Sequence, residues 1–380
     1  MKRTLLVTID FPPMVGGVAN YWANLCRELP SDDLVVLAEE YDGSIDFDIH
    51  QGYLIYRKNL ISRSEWLWPK WLPLFFCTLK MIKQEKIKKL IVAHILPTGT
   101  VALIIKKLFH IPYIVSVHGL DISLSQVSEK KRRLTKRIMS GAESIMANSE
   151  YTKGLLLKYN LCSAEKVEVV YPCSNIQDQK VPQKIKENLI ARNNLIDKKV
   201  ILTVGRLIER KGHDKLIQAL PLVLEKVPNL FYISVGDGPQ KKYLQEQVDA
   251  LKLNDKTNFY YDVLDYELPA FYDLSDVFIM PCRELTNGDI EGFGIVFLEA
   301  GMYDKPVIGG RSGGAVEAVE QGVNGLLVDP NSINEIAQAL ISLLTNNEKA
   351  KTLGQQGHKR VIDKFNWQEQ GKKIIEIVNK

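Results

Sequence analysis

Short apolar runs alternate with amphipathic stretches along the whole chain, and the alternation starts afresh near the middle. TLLVTI (4–9), DLVVLAE (33–39), KLIVAH (89–94), YIVSVH (113–118), SIMANS (144–149) and VEVVY (167–171) read as strands. They are rich in β-branched residues and some are apolar throughout, the pattern of parallel strands covered on both faces. Helical patterns such as ANYWANLCREL (19–29) and GTVALIIKKLF (99–109) fall between them. This predicts a doubly wound α/β domain over residues 1–172. Residues 173–197 are polar, carry one proline and show no strand pattern, so they read as a linker. Then VILTVGR (200–206), NLFYISVGDG (229–238), TNFYYDV (257–263), DVFIMPC (276–282), KPVIGG (305–310) and GLLVDP (325–330) begin a second series, over residues 198–364. The tail from Asn347 to Lys380 reads as two further helices. The expected fold class is α/β, two Rossmann-like domains facing a cleft. Ligands of open α/β sheets bind outside the carboxyl ends of the strands, so that cleft is the expected site.

Composition narrows the function classes. Of the 380 residues, 46% are hydrophobic and 25% charged, which excludes a disordered or coiled-coil chain. The net charge of +4 is too small to imply nucleic acid as a partner. Five scattered cysteines without CxxC spacing fit reduced thiols better than disulfides or zinc. The apolar run after the N-terminus is too short for a secretory signal, and no stretch reaches the roughly 18 apolar residues of a membrane span. The expected location is therefore cytoplasmic. Residues 51–150 hold 17 basic and 6 acidic residues, an excess that describes either a partner-facing surface or a solvated helix face.

Several residues could carry chemistry. Gly16 and Gly17 lie between the first strand and the first helix, where glycines let backbone approach a phosphate. The GxGxxG dinucleotide fingerprint is absent, and an ordinary tight turn is the alternative. Arg206 directly follows a strand and Lys211 precedes a helix; a fork and a point charge five residues apart could clamp a diphosphate, or lie in a solvated loop. His213 reads as a helix-start residue, and Asp237 in VGDGPQ as a turn former or a ligand. In IEGFGIVFLEAGMYDKPVIGG (290–310), Glu291 precedes a helix opened by Gly292, Phe293 and Gly294, and Glu299 lies about two turns along. Free N–H groups at such a helix start take phosphate or hydroxyl, and a carboxylate at the same mouth suits sugar hydroxyls. The alternative is a macrodipole-stabilised Glu291 with Glu299 merely exposed. His118 ends a strand and is followed by Gly119 and Asp121, well placed for catalysis or sugar contact. His94 also ends a strand but reads as a core histidine. Asp46 and Asp48 form a lone acidic DFD triplet, expected to be a solvated loop rather than a metal site.

Taken in order, the double glycine, HGxD at 118–121, GRLxxxKG at 205–212, GDGP at 236–239, E-x7-E at 291–299 and PVIGGRSGGAVEAVEQGVNGLLVDP at 306–330 resemble the family 4 glycosyltransferases of the GT-B fold. The resemblance covers nearly the whole chain. It implies a retaining, metal-independent transferase that moves a hexose from a nucleotide-diphosphate sugar, with no cofactor. It implies that Arg206 and Lys211 bind the diphosphate, Glu291 the donor sugar and Glu299 the ribose. Backbone at Phe293 and Gly294 would meet sugar and phosphate, Gly16 and Gly17 would approach the phosphates from the first domain, and the family histidine maps to His118. Residues 365–380 resemble the helix that crosses back to the first domain. Residues 281–300 look most like the phosphatidylinositol mannosyltransferase branch, which implies GDP-mannose as donor and a lipid-linked or glycan acceptor. YPCSN in place of Asn-Gly after the interdomain strand, and Tyr261 or Asp262 near the base, depart from the family pattern and leave nucleobase choice open. A UDP-sugar donor, or an inert nucleotide-sugar-binding protein, are the alternatives; intact Arg206, Lys211, Glu291 and Glu299 argue against the latter.

A peripheral membrane contact is also expected. Lys130, Lys131, Arg132, Arg133, Lys136 and Arg137 lie within eight residues beside Leu134, Ile138 and Met139, and Trp66, Trp68 and Trp71 precede a lysine-rich stretch. Basic residues next to exposed apolar ones are what an anionic inner leaflet attracts. Burial of the tryptophans inside the first domain is the alternative.

Overall fold

The computed structural model describes residues 1–14, 16–174, 176, 181 and 183–380. They form two compact units, Met1–Pro172 with Trp367–Lys380, and Cys173–Asn366. Residues 175, 177–180 and 182 of the expected linker lie outside the described residues.

The first unit is built on seven parallel strands: β1 (Thr4–Thr8), β2 (Leu34–Glu39), β3 (Leu54–Lys58), β4 (Lys89–Val92), β5 (Tyr113–Val117), β6 (Ser144–Ala147) and β7 (Val167–Val169). Their order is β3-β2-β1-β4-β5-β6-β7. In register, Leu5 faces Val35 of β2 and Leu90 of β4. The apolar runs are continuous because alternate residues serve two cores. Leu5 and Val7 join Leu74, Val101, Ile105, Ile138 and Leu156 on one face. Leu6 joins Trp22, Leu25, Ile374 and Ile377 on the other. Fully burying each such side chain contributes roughly 1.5–3 kcal/mol. The sequence pattern does not reveal β3, because this edge strand is partly exposed and ends in Arg57 and Lys58.

The second unit has six parallel strands: β8 (Lys199–Val204), β9 (Leu230–Val235), β10 (Thr257–Tyr260), β11 (Val277–Met280), β12 (Val307–Gly310) and β13 (Gly325–Val328). Their order is β10-β9-β8-β11-β12-β13. Each sheet reverses its winding beside its first strand, at β1/β4 and at β8/β11. Such a switch point leaves a crevice at the carboxyl ends of the strands. The functional candidates of each unit follow the strands there.

Part of the expected linker is ordered as the helix Gln183–Asn193. Only Leu189 and Asn193 of this helix are buried, so it lacks the apolar stripe that signals a helix. It is held instead by polar bonds: the Asn193 amide donates to the Tyr260 hydroxyl at 2.7 Å, and Asn258 donates to the Asn193 carbonyl at 2.8 Å. Among the described residues, no helix is long and apolar enough to cross a membrane.

The last helix, Trp367–Asn379, belongs to the first unit and buries Ile374, Ile377 and Val378. Ile377→Ala should destabilise that unit by about 2–5 kcal/mol, the range for removing a buried branched side chain. The measurement is urea unfolding followed by tryptophan fluorescence, with Trp22 in the same cluster reporting. An unshifted transition would mean that the helix is not part of the core.

Candidate active site

In the second unit, β8 ends in a turn whose backbone lies flat on the turn after β9. Gly205 donates to the Val235 carbonyl at 2.9 Å, and Leu207 to the Asp237 carbonyl at 3.0 Å. Gly236 has φ +133°, and a Cβ there would stand 2.2 Å from the Gly205 oxygen, so only glycine permits this approach. Asp237 thus holds the neighbouring turn through its carbonyl. The arrangement leaves the Arg206 side chain exposed, with no hydrogen-bond or ion-pair partner among the described residues.

A 3₁₀ turn, Glu209–Lys211, and Gly212 then lead into the helix His213–Leu224. His213 is fully buried at the start of that helix, with its ring 3.2 Å from the Tyr232 hydroxyl. Burial holds the ring at about 4, so it is neutral. The turn sends Arg210 and Lys211 to one carboxylate: Arg210 Nη1 lies 2.5 Å and Lys211 Nζ 2.6 Å from Glu291 Oε2. Lys211 is only 9% exposed, so a pairing of this kind is what an ammonium in its position requires. Arg210 Nε also faces Asp289 at 3.2 Å. Two carboxylates from the loop after β11 thus brace the turn. Arg283, after β11, makes a fork onto Asp214 at 2.8 and 3.0 Å, and its N–H donates to the Arg210 carbonyl at 2.8 Å.

Glu291 itself is fixed through its backbone, whose carbonyl accepts from Gly314 at 2.8 Å. Gly294, at φ +93°, is the N-cap of the helix Ile295–Met302. The Phe293 side chain is buried in a T-shaped contact with Phe365, which leaves its backbone at the helix mouth. Glu299 is half-buried and accepts from the Tyr272 hydroxyl at 2.7 Å, so it is not merely exposed. The two carboxylates titrate in opposite directions. Burial opposes ionisation of Glu291, but Lys211 and Arg210 outweigh it and hold the group at about 2. Burial pushes Glu299 above its usual range, against the Tyr272 hydroxyl and Lys211.

The structure therefore brings Lys211, Glu291 and the Gly292–Gly294 helix mouth together. Lys211 acts electrostatically on Glu299 as well, and its Nζ lies 3.8 Å from where a Gly205 Cβ would be, next to Arg206. The spacing of GRLxxxKG does not single out Arg210. Asp214, Tyr272 and Arg283 carry no local signal either, because their partners lie far off in sequence.

His118, Gly16 and Gly17 belong to the first unit. Gly16 caps the helix Gly17–Arg27 with extended backbone, and a Cβ on either glycine would meet nothing within 4 Å, so packing does not demand glycine there. His118 follows β5, with its ring 3.2 Å from Ser116 Oγ and 5.4 Å from the Tyr21 ring. Burial, with His94 nearby, lowers it to about 3, so the imidazole is uncharged at neutral pH. Asp121 accepts from the N–H groups of His118 and Ile122, which gives it a role in shaping the loop. His94 is not a plain core histidine: its Nε2 faces Asp10 Oδ2 at 3.5 Å, and its ring lies 6.4 Å from that of His118.

Three surface expectations change. The DFD triplet lies in a short helix, Ser44–Asp48, where Asp48 pairs with Arg57 at 2.7 Å. The basic run forms the helix Glu129–Gly141, but Ile138 and Met139 are core residues, because they fall on its inner face. Leu120, Leu124 and Val127, just before it, are the exposed apolar residues. Trp66 and Trp68 are 98% and 81% exposed, whereas Trp71 packs against the core.

Comparison with known proteins follows the same division of the chain. The profile described as "Glycosyl transferases group 1" matches residues 185–360, and "Glycosyltransferase Family 4" matches residues 15–177. A GDP-mannose-dependent alpha-(1-6)-phosphatidylinositol monomannoside mannosyltransferase of Mycolicibacterium smegmatis is 30% identical over 99% of this chain and 98% of its own length. The chain belongs to the family 4 glycosyltransferases. A GDP-mannose-dependent monoacylated alpha-(1-6)-phosphatidylinositol monomannoside mannosyltransferase of Corynebacterium glutamicum is 26% identical over 99% of this chain and 98% of its own length. Among solved structures, Anabaena HepE in complex with UDP superposes with a TM-score of 0.83 at 21% identity, covering all of both chains. Sucrose-phosphate synthase from Thermosynechococcus elongatus gives 0.82 at 22%, covering 100% of this chain and 98% of its own. These two establish the GT-B fold, with a seven- and a six-stranded parallel sheet. The family makes the chain a glycosyltransferase.

The low pKa of Glu291 sets a pH dependence. A carboxyl held at about 2 against an ordinary 4.5 contributes stability that is full above pH 4.5 and lost as pH falls toward 2. Glu291→Gln should therefore lower Tm at pH 6–7, and the gap from the parent should narrow by pH 3. Differential scanning fluorimetry across that range is the check; a pH-independent gap would contradict the ion cluster.

Proposed function

We propose that this glycosyltransferase moves mannose from GDP-mannose, with retention and without a metal ion, to a lipid-linked or glycan acceptor. The observation that carries the reading is the cluster of Lys211, Arg210 and Glu291 beside Arg206, which has no partner among the described residues, at the carboxyl ends of β8 and β11. The full-length similarity to GDP-mannose-dependent mannosyltransferases supports the choice of donor and of a lipid-linked acceptor.

In this reading Arg206 and Lys211 take the diphosphate, and the helix N-terminus after Gly292–Gly294 adds N–H donors. Charge developing on the leaving group meets these fixed positive groups, so no divalent ion is required. Glu291, ionised, accepts from the donor sugar's hydroxyls, and Glu299 from the ribose. Gly16 and Gly17, in the first unit, offer backbone N–H groups to a phosphate. His118, uncharged, contacts the sugar as a hydrogen-bonding group rather than as a cation. Only one carboxylate meets the sugar, so a double displacement lacks its partner, and attack proceeds from the leaving-group side with the departing phosphate taking the acceptor's proton.

A donor panel of GDP-, UDP- and ADP-sugars tests this. GDP-mannose should turn over fastest, and turnover should persist in excess EDTA. Arg206→Ala should weaken GDP binding tenfold or more, since a charge-assisted bond is worth roughly 1.5–3 kcal/mol. Glu291→Gln should abolish most transfer while GDP affinity stays within threefold, whereas Glu299→Gln should weaken GDP itself. A UDP-sugar as the best donor would overturn the donor assignment, and turnover of no donor at all would leave an inert nucleotide-sugar binder.

The same reading places the enzyme at the cytoplasmic face of an anionic membrane. Six exposed cations on the helix Glu129–Gly141, with Leu120, Leu124, Val127, Trp66 and Trp68 exposed in the same unit, support it. Each cation near such a surface contributes about 1 kcal/mol. The protein should co-sediment with anionic vesicles at low salt. Binding should fall steeply as salt rises, and drop when Lys130, Lys131, Arg132 and Arg133 become Ser. No sedimentation at low salt would rule the membrane contact out.

A further inference from the structure

Glu291 presents one oxygen, Oε2, to two cations at once. If Lys211 serves the diphosphate, as under the proposed function on which this inference rests, the two cations must divide their work when donor binds. They are not equally free to move. Lys211 ends in a point charge on a flexible four-carbon stem that already passes beside Gly205, next to Arg206. Arg210 is held at three places. Its Nη1 meets Glu291, its Nε meets Asp289 at 3.2 Å, and its carbonyl accepts the Arg283 N–H, whose side chain is locked as a fork on Asp214. Moving Arg210 would break an ion-paired loop, whereas moving Lys211 needs only rotation about its stem.

We propose that Arg210 is a positioning residue for the transfer. It remains on Glu291 while Lys211 is drawn to the diphosphate, and so keeps that carboxylate ionised and aimed at the donor sugar. Without donor the local charge is balanced, with Arg210 and Lys211 against Glu291 and Asp289. A diphosphate adds negative charge and removes Lys211 from Glu291. Arg210 is then the one cation left on a carboxyl that is 12% exposed and close to a polyanion. The groups facing Glu291 are Lys211 and Arg210 from the 3₁₀ turn, Asp289 from its own loop, Cys282 at the end of β11, and the Gly314 N–H on its carbonyl. The Cys282 thiol is raised to about 12 by burial and by Glu291, and carries no charge at working pH. Among the described residues, Glu291 has no ion-pair partner besides Lys211 and Arg210.

The test compares the parent with Arg210→Met and Arg210→Lys in steady-state transfer from pH 5 to 9 at saturating donor, with GDP affinity measured alongside. GDP affinity should stay within threefold. For Arg210→Met, kcat at pH 7 should fall at least thirtyfold. The acid limb of kcat should move up by a pH unit or more, because a carboxyl that loses its cation protonates at higher pH. Arg210→Lys, which keeps the charge but loses the fork, should fall between; it carries the test if Arg210→Met does not fold. In a Glu291→Gln background, Arg210→Met should cost no more than threefold further. A tenfold loss of GDP affinity in step with kcat would make Arg210 a phosphate ligand and overturn the proposal, as would an acid limb that stays in place. If the parent transfers from no donor, the proposed function fails, and Arg210 is judged by donor-free thermal melts against pH. Arg210→Met should then raise the pH at which Glu291-dependent stability is lost, and an unmoved curve would overturn the placement.

Discussion

A lysine ammonium sunk to 9% exposure has to find a counter-charge, and in this protein Glu291 supplies it. Much of the second unit's local structure follows from that pairing. An isolated buried ion is costly, and removing one partner of such a pair leaves the other uncompensated. The turn bearing Lys211 must reach the loop bearing Glu291, although 80 residues separate them in sequence. Adjacency of β8 and β11 at the switch point makes this possible. Gly212, Asp214 and Arg283 then fix the height of the turn against the end of β11. Gly313 and Gly314 let a second loop lie on the backbone of residues 290–293. The site is thus a set of loops clamped at their bases, with charged tips converging on a few atoms.

The two units share a winding and differ in electrostatics. At the β8/β11 crevice, Lys211 and Arg210 hold Glu291 well below the usual carboxylate range. At the corresponding end of the first sheet, His118 and His94 are kept neutral by burial, with Asp10 beside them. A charged nucleotide suits the first environment. The second offers uncharged imidazole and hydroxyl groups that donate and accept, with the carboxylates of Asp10 and Asp121 close by.

The alternation of apolar and amphipathic segments was legible because parallel strands buried on both faces leave no polar phase, and twelve of the thirteen strands announce themselves in that way. The edge strand β3 does not, since one of its sides faces solvent. The helix at 183–193 does not either, because amide bonds from Asn193, rather than an apolar stripe, dock it. Within the site, Lys211, Glu291 and Glu299 were legible from motif spacing, which marks the ends of each motif and passes over its middle. Arg210 occupies such a middle position. The fork of Arg283 on Asp214 spans 69 residues and exists only once the sheet has formed. The basic run at 130–137 was legible as charge, but its apolar neighbours were misread: helical phase turns Ile138 and Met139 inward, and the exposed apolar residues come from the preceding segment.

The closing helix has a consequence for how the polypeptide matures on the ribosome. Ile374, Ile377 and Val378 share a core with Trp22, Leu25 and Leu6, yet the entire second unit is translated between them. The first unit emerges first but cannot complete its core until the helix Trp367–Asn379 has left the exit tunnel. Throughout synthesis of the second unit, the side of the helix Gly17–Arg27 that meets the helix Trp367–Asn379 lacks that cover. A chain cut short before Trp367 would leave that surface uncovered for good, however well the second unit had folded.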